Sequence, residues 1–203
     1  MRIAPLMALL LITAPAWSEM QHQHAGPRHD HPHHLAMAAA KPEYARGMGH
    51  YTPPDVVLQD AHGREVALKS LLDGSRPVML NFIYTSCTAV CPVQSATFAQ
   101  ARRQLPAGEQ PLLVSVSIDP DHDTPERLRE YAARYDADDN WVFLTGGLEQ
   151  VKQVQGAFDT YRGDKMNHKP VTFLRAAGAH AWVRLDGFTS AGDLVSEYRQ
   201  LRR

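Results

Sequence analysis

Cysteine is scarce in this chain. Two among 203 residues are too few for a disulfide-built scaffold, and 44% apolar residues can form a core without one. A basic surplus is also missing. Lys and Arg number 21 against 22 Asp and Glu, so the formal net charge is 21 − 22 = −1. Nothing in that balance would displace counterions from a phosphate backbone, which excludes a nucleic-acid binder. No apolar run reaches the roughly 20 residues that span a bilayer, and no internal repeat is visible. The length fits one ordinary domain with room for a tail.

The N-terminal residues carry an address. Arg2 precedes an apolar run from Ile3 to Ala14 broken only by Pro5, and Ala14-Pro15-Ala16 offers small residues in an A-x-A pattern. This predicts a secretory signal peptide over residues 1–16, cut after Ala16, or after Ser18 if the cut slips. The expected destination is a bacterial periplasm, with an uncleaved leader acting as a tether as the second reading. No cysteine follows the leader, which removes a lipid anchor there.

Residues 17–50 are read as a disordered tail rich in His, Gln, Pro, Gly, Ala and Met, with no sustained periodicity. Six of the eleven histidines cluster within residues 22–34: His22, His24, His29, His31, His33 and His34. A solubilising spacer is the plain interpretation. The clustering favours auxiliary metal capture, because neutral imidazole suits Cu, Zn and Ni alike.

Residues 51–203 are expected to form the folded domain. Asp55–Leu58 and Glu65–Leu68 flank the turn-forming Asp60-Ala-His-Gly63 and read as a hairpin. Val78–Tyr84 is almost wholly apolar, the mark of a strand covered on both faces. A helix is expected from Thr88 to about Leu105, then a second central strand over Leu112–Ile118. Thr124 with Pro125 starts the next helix, with Leu128, Tyr131, Ala132 and Tyr135 on its apolar stripe. Trp141–Leu144 is a short strand, and Leu148, Val151, Val154 and Phe158 mark the buried side of a helix. Val171–Leu174 and Trp182–Leu185 straddle a turn as a closing hairpin, and Ser190 with Asp193 resembles a capping box for the last helix. The order ββ-β-α-β-α-β-α-ββ-α implies an α/β fold with a mostly parallel or mixed sheet between helices.

One constellation carries chemistry: Asn81-Phe-Ile-Tyr-Thr-Ser-Cys87-Thr-Ala-Val-Cys91-Pro92. An apolar strand runs straight into two cysteines spaced Cys-x-x-x-Cys, not the Cys-x-x-Cys of thioredoxin-like redox motifs. If a helix starts there, positions i and i+4 share a face and the sulfurs can converge. A helix N-terminus also favours the thiolate. Three uses fit the pair. A structural disulfide would close so short a loop that it stabilises little. Thiol–disulfide exchange or peroxide reduction is the second. Copper binding is favoured, since two thiolates and an imidazole suit Cu(I) and can hold Cu(II).

The third ligand must come from elsewhere in the chain. His62 and His180 sit in hairpins and read as solvated, while His122 lies in the loop after a central strand and is a second choice. His168 directly precedes the strand Val171–Leu174, and in this topology that loop passes near the start of the first long helix. His168 is therefore the preferred ligand.

These residues resemble the Sco/SenC family, the copper-delivery factors of cytochrome c oxidase assembly. The resemblance rests on Phe82–Cys87 through Cys91-Pro92, on Val116–Asp119-Pro120-Asp-His-Asp123-Thr124-Pro125, on Leu144-Thr145-Gly146 and on Asn167-His168, and it covers about residues 51–201. It implies a thioredoxin-like fold with an N-terminal β-hairpin and one copper held by Cys87, Cys91 and His168. Asp119 and Asp123 match the family's acidic loop: Asp119 is placed to approach the metal, and Asp123 to secure the helix start. Thr88 stands where family members usually carry proline, and a cleavable-looking leader stands where many have a transmembrane helix. Pro170 invites comparison with the cis-proline that packs on the cysteine pair of thioredoxins.

The expected function is an exported copper metallochaperone rather than a conventional enzyme. Its partners would be a copper-receiving protein such as an oxidase subunit, together with a copper donor or a thiol–disulfide partner. The alternative is a periplasmic thiol–disulfide reductase that uses Cys87 and Cys91 as its redox pair. A copper sensor or scavenger would use the same ligands.

Overall fold

Six consecutive buried residues, Val78–Ile83, form a strand at the centre of the sheet. The computed structural model describes residues 43–202. The leader and the six clustered histidines of the tail lie outside the described residues.

The strands are β1 (Tyr44–Gly49), β2 (Val57–Asp60), β3 (Glu65–Ala67), β4 (Val78–Ile83), β5 (Leu112–Ser117), β6 (Trp141–Thr145), β7 (Val171–Arg175) and β8 (Trp182–Gly187). The helices are α1 (Leu68–Leu71), α2 (Val90–Gln104), α3 (Pro125–Ala133), α4 (Leu148–Ala157) and α5 (Ala191–Leu201). One mixed sheet runs in the order β1-β8-β7-β4-β5-β6-β2-β3. Its middle, β4-β5-β6, is parallel, and the pairings outside it are antiparallel. β4 and β5, buried along their whole length, read in sequence as continuous apolar runs or nearly so, as strands covered on both faces do.

Each face of the sheet carries an aromatic cluster. On one face Phe158 meets Tyr51, Phe82, Phe173 and Trp182 at ring-centroid distances of 5.1–6.0 Å. On the other, Phe98, Tyr131 and Phe143 surround Trp141, or reach it through one another. Trp141 Nε1 donates to Ser115 Oγ (2.9 Å), which donates to Asn81 Oδ1 (2.7 Å), tying the three parallel strands together through buried side chains.

Several expectations shift. Residues 44–49, placed in the disordered tail, form β1 along the edge of β8. Its sequence YARGMG carries two glycines and no alternation; what orders it is pairing with β8 and the anchoring of Tyr44 and Arg46 on the buried Glu197 (3.0 and 2.8 Å). The N-terminal hairpin is present, but its first strand starts at Val57 because the Asp60 side chain accepts from the His62 and Arg64 amides and closes the turn there. A single helical turn, α1, follows it unannounced. Both caps are where the sequence places them: Thr124 accepts from Arg127 N, and Ser190 from Asp193 N. Among the described residues no peptide bond is cis. The bond before Pro170 is therefore trans, and the comparison with a thioredoxin cis-proline fails.

Phe158 is fully buried and touches four other rings. Phe158→Ala is expected to lower the unfolding free energy by about 3–5 kcal/mol, and Phe158→Leu by clearly less. Denaturant unfolding of the three proteins side by side checks this order.

Candidate metal centre

β4 delivers the chain into a tight turn, Tyr84 to Ala89, and α2 begins at Val90, two residues later than the sequence pattern predicts. Cys91 thus lies in the first turn of the helix while Cys87 lies just before it. No side chain of the N-cap residue Ala89 caps the helix. The sulfur of Cys87 takes that place, accepting from the Cys91 amide at 3.3 Å. Both cysteines are buried free thiols.

Their electrostatics differ. Burial opposes ionisation of Cys87, but the amides of Cys91 and Ala89, the Cys91 thiol and the Tyr84 hydroxyl all favour its thiolate, and the net effect holds its pKa below the ordinary thiol value. Cys91 is pushed up, first by deeper burial and then by its bond to Cys87 and the negative charges of Cys87 and Asp123, which outweigh the Tyr84 amide (3.4 Å). Of the pair, Cys87 is the sulfur that ionises first and Cys91 the one that holds its proton longer. Tyr84 is raised to about 12 by burial and by its bond to Cys87, so it remains a hydroxyl donor.

His168 follows a 3-10 turn, Lys165–Asn167, that Asp164 caps through Met166 N. Its Nε2 lies 3.0 Å from the carbonyl oxygen of Phe82, on the strand that leads to the cysteines. A carbonyl only accepts, so Nε2 carries the proton and Nδ1 keeps the lone pair that a metal needs. Burial lowers the pKa of the ring, partly offset by the Phe82 bond, and keeps it neutral at neutral pH. Yet among the described residues no three His, Cys, Asp or Glu side chains are gathered as a metal cluster. The structure brings His168 to the strand that leads to Cys87 and Cys91, without closing a three-ligand site among the described residues.

The acidic residues Asp119 and Asp123 tie together the loops around the cysteines and His168. Asp119 pairs with Lys165 Nζ at 2.5 Å, which fixes the turn before His168 to the loop after β5. Asp123 does not secure the start of α3, where Thr124 is the cap. It is fully buried, accepting from Thr85 N (3.1 Å), Thr85 Oγ1 (2.5 Å) and Ser117 Oγ (2.6 Å), and so ties the turn that precedes the cysteines to the end of β5. His122 is turned to Arg127 at the surface, and His62 and His180 are exposed. Tyr84, Thr85 and Ser117 escape a reading of the sequence. Ser117 marks only strand alternation there, and the other two lie inside the cysteine motif with no spacing that assigns them a partner.

The family model described as SCO1/SenC matches residues 44–201. The chain belongs to the SCO1/SenC family. A Bacillus subtilis relative named "SCO1 protein homolog" is 34% identical over 98 residues, covering 47% of this chain and 50% of that protein, so the chain spans about half the length of that relative. A structure of BsSco, described as a member of the Sco family of cytochrome c oxidase assembly proteins with a disulfide switch, has 25% identity and a TM-score of 0.63 over 77% of this chain and 96% of that one. Arabidopsis thaliana ScoI with copper bound has 22% identity and a TM-score of 0.62, covering 74% and 98%. The fold is the thioredoxin-like fold of this family, and the family match begins at β1.

Alkylation by iodoacetamide, followed by peptide mass analysis across pH, is expected to modify Cys87 at lower pH than Cys91. Equal pH profiles would contradict the asymmetry. Asp123→Asn sets an amide donor against the donors of Thr85 and Ser117 and is expected to cost about 2–3 kcal/mol in denaturant unfolding.

Proposed function

We propose that this protein is an exported copper metallochaperone. It binds one Cu(I) through the thiolates of Cys87 and Cys91 and the imidazole of His168, and hands it to a copper enzyme, the dinuclear copper centre of cytochrome c oxidase being the client that fits the family best. The observation that carries this is a Cys87 sulfur held by the start of α2 together with a neutral His168 whose Nε2 is bonded to the carbonyl of Phe82, on the strand that leads to the cysteines. Two soft sulfurs and one imidazole are a donor set for Cu(I). The copper-bound Arabidopsis thaliana neighbour supports the choice of metal. Because the ligands are not gathered beforehand, loading draws Cys91 away from the Tyr84 amide and brings the His168 turn inward. Delivery proceeds by exchange, with ligands of the partner replacing these one at a time. Both thiols must be reduced, so a Cys87–Cys91 disulfide switches the site off. The leader at 1–16 supports periplasmic placement, and the histidines at 22–34 support metal capture ahead of the domain.

A second reading, thiol–disulfide exchange that keeps a partner's copper-site cysteines reduced, is favoured by the split between Cys87 and Cys91. A thiolate with a lowered pKa beside a retained thiol is the arrangement of an attacking and a resolving sulfur.

Titration of the reduced protein with Cu(I) and Cu(II) against a competing chelator is expected to give one tightly bound equivalent, with affinity reduced more than about tenfold in His168→Ala. Unchanged affinity and spectra in that variant, with fast dithiol exchange, would transfer the assignment to the reductase. Deleting residues 19–40 leaves β1 in place and is expected to slow loading at limiting copper. Unchanged loading would reduce the tail to a spacer.

A further inference from the structure

The 3-10 turn that precedes His168 carries a second soft donor. Met166 is 73% exposed, the highest value among the large apolar side chains of the described residues, so packing does not hold its thioether in place. The turn nevertheless fixes it. Asp164 accepts from the Met166 amide at 2.8 Å, and Lys165 beside it is paired with Asp119. The Met166 Sδ accepts from the Tyr84 hydroxyl at 3.8 Å. Tyr84 is buried, and its side chain also borders Cys87. One phenol therefore stands between a thioether facing solvent and a thiol inside the site.

A thioether has no proton to lose and is a soft, polarisable donor, so it binds Cu(I) at once, whereas Cys91 must first give up a proton. Cys87 and Cys91 are both buried, which leaves a copper donor little direct access to them. We propose that Met166 is the receiving ligand for Cu(I), taking the ion from its donor at the surface and passing it inward to Cys87. This rests on the copper reading above. In the first step a Cu–Sδ bond forms as one bond from copper to the donor breaks. In the second a Cu–Sγ bond forms at Cys87, any thiol proton leaving to water, and the Cu–Sδ bond breaks. Copper stays Cu(I) throughout, and no oxidant or reductant is consumed. The Tyr84 side chain, which donates to Met166 Sδ and borders Cys87, lies between the two stations.

The test is stopped-flow transfer of Cu(I) from its bicinchoninate complex to the reduced full-length protein, with equilibrium affinity measured in parallel. Met166→Leu keeps the volume and removes the sulfur. It is expected to slow acquisition about tenfold while affinity changes less than about twofold, the signature of a residue used on the path and not in the final site. Met48→Leu, at the other strongly exposed methionine among the described residues (65%), is the control and is expected to load at the wild-type rate. In a Cys87→Ser, Cys91→Ser protein with 13C-methyl methionine, the Met166 methyl resonance is expected to shift on adding Cu(I). Wild-type loading by Met166→Leu, or equal slowing by Met48→Leu, would overturn the proposal and leave the copper site standing. Failure of the wild-type protein itself to take copper from the complex would overturn both.

Discussion

The contact between the Cys91 amide and the Cys87 sulfur organises this site. A helix N-terminus leaves backbone donors without partners, and here α2 begins at the end of a fully buried strand with no side-chain cap from Ala89. The sulfur satisfies a donor that would otherwise be buried unpaired. In return the helix end stabilises negative charge on that sulfur. One interaction thus finishes the helix and prepares the thiolate, so the geometry of the fold and the reactivity of Cys87 cannot be altered separately.

The rest of the site hangs from the end of β4. Phe82 offers its carbonyl to His168, Tyr84 its amide to Cys91 and its hydroxyl to Met166, and Thr85 its amide and hydroxyl to Asp123. Four successive positions of chain, Phe82 to Thr85, include three that address three different elements. Such economy needs a rigid base. The base is the parallel core, where the Trp141–Ser115–Asn81 chain links β6, β5 and β4, and the two aromatic clusters clamp it from both faces.

The parts legible in the sequence are those set by local pattern. Continuous burial identifies β4 and β5, Thr124 and Ser190 announce their helices, and the spacing of Cys87 and Cys91 announces the chemistry. The rest depends on partners distant in the chain. β1 has two glycines and no alternation, so only β8 and Glu197 reveal it. Asp123 neighbours a good cap and reads as part of it, whereas its bonds run to Thr85, 38 residues away, and to Ser117. His168 could be chosen from topology, but its bond to the Phe82 carbonyl, 86 residues away, leaves no mark in spacing. Pro170 carries the opposite lesson. A proline at a suggestive position does not make a cis bond, because only the surrounding packing decides the isomer.

Both sulfurs are closed on the backbone, and this bears on what the proposed copper site is suited to do. Cys91 is held by the Tyr84 amide and Cys87 by the start of α2. An ion that draws Cys91 inward leaves the Tyr84 amide to find another partner, and a buried donor left unsatisfied costs about 1–3 kcal/mol. That cost is subtracted from affinity and returned when the ion leaves. A storage site gains nothing from such a penalty. The proposed carrier would, because release to a partner would be assisted by backbone bonds that re-form as copper departs. His168 gives up nothing comparable, since its Nε2–H can keep the Phe82 carbonyl while Nδ1 binds. In the proposed donor set the imidazole would then be the steady member, and the two sulfurs, of which Cys87 ionises first, the members that exchange.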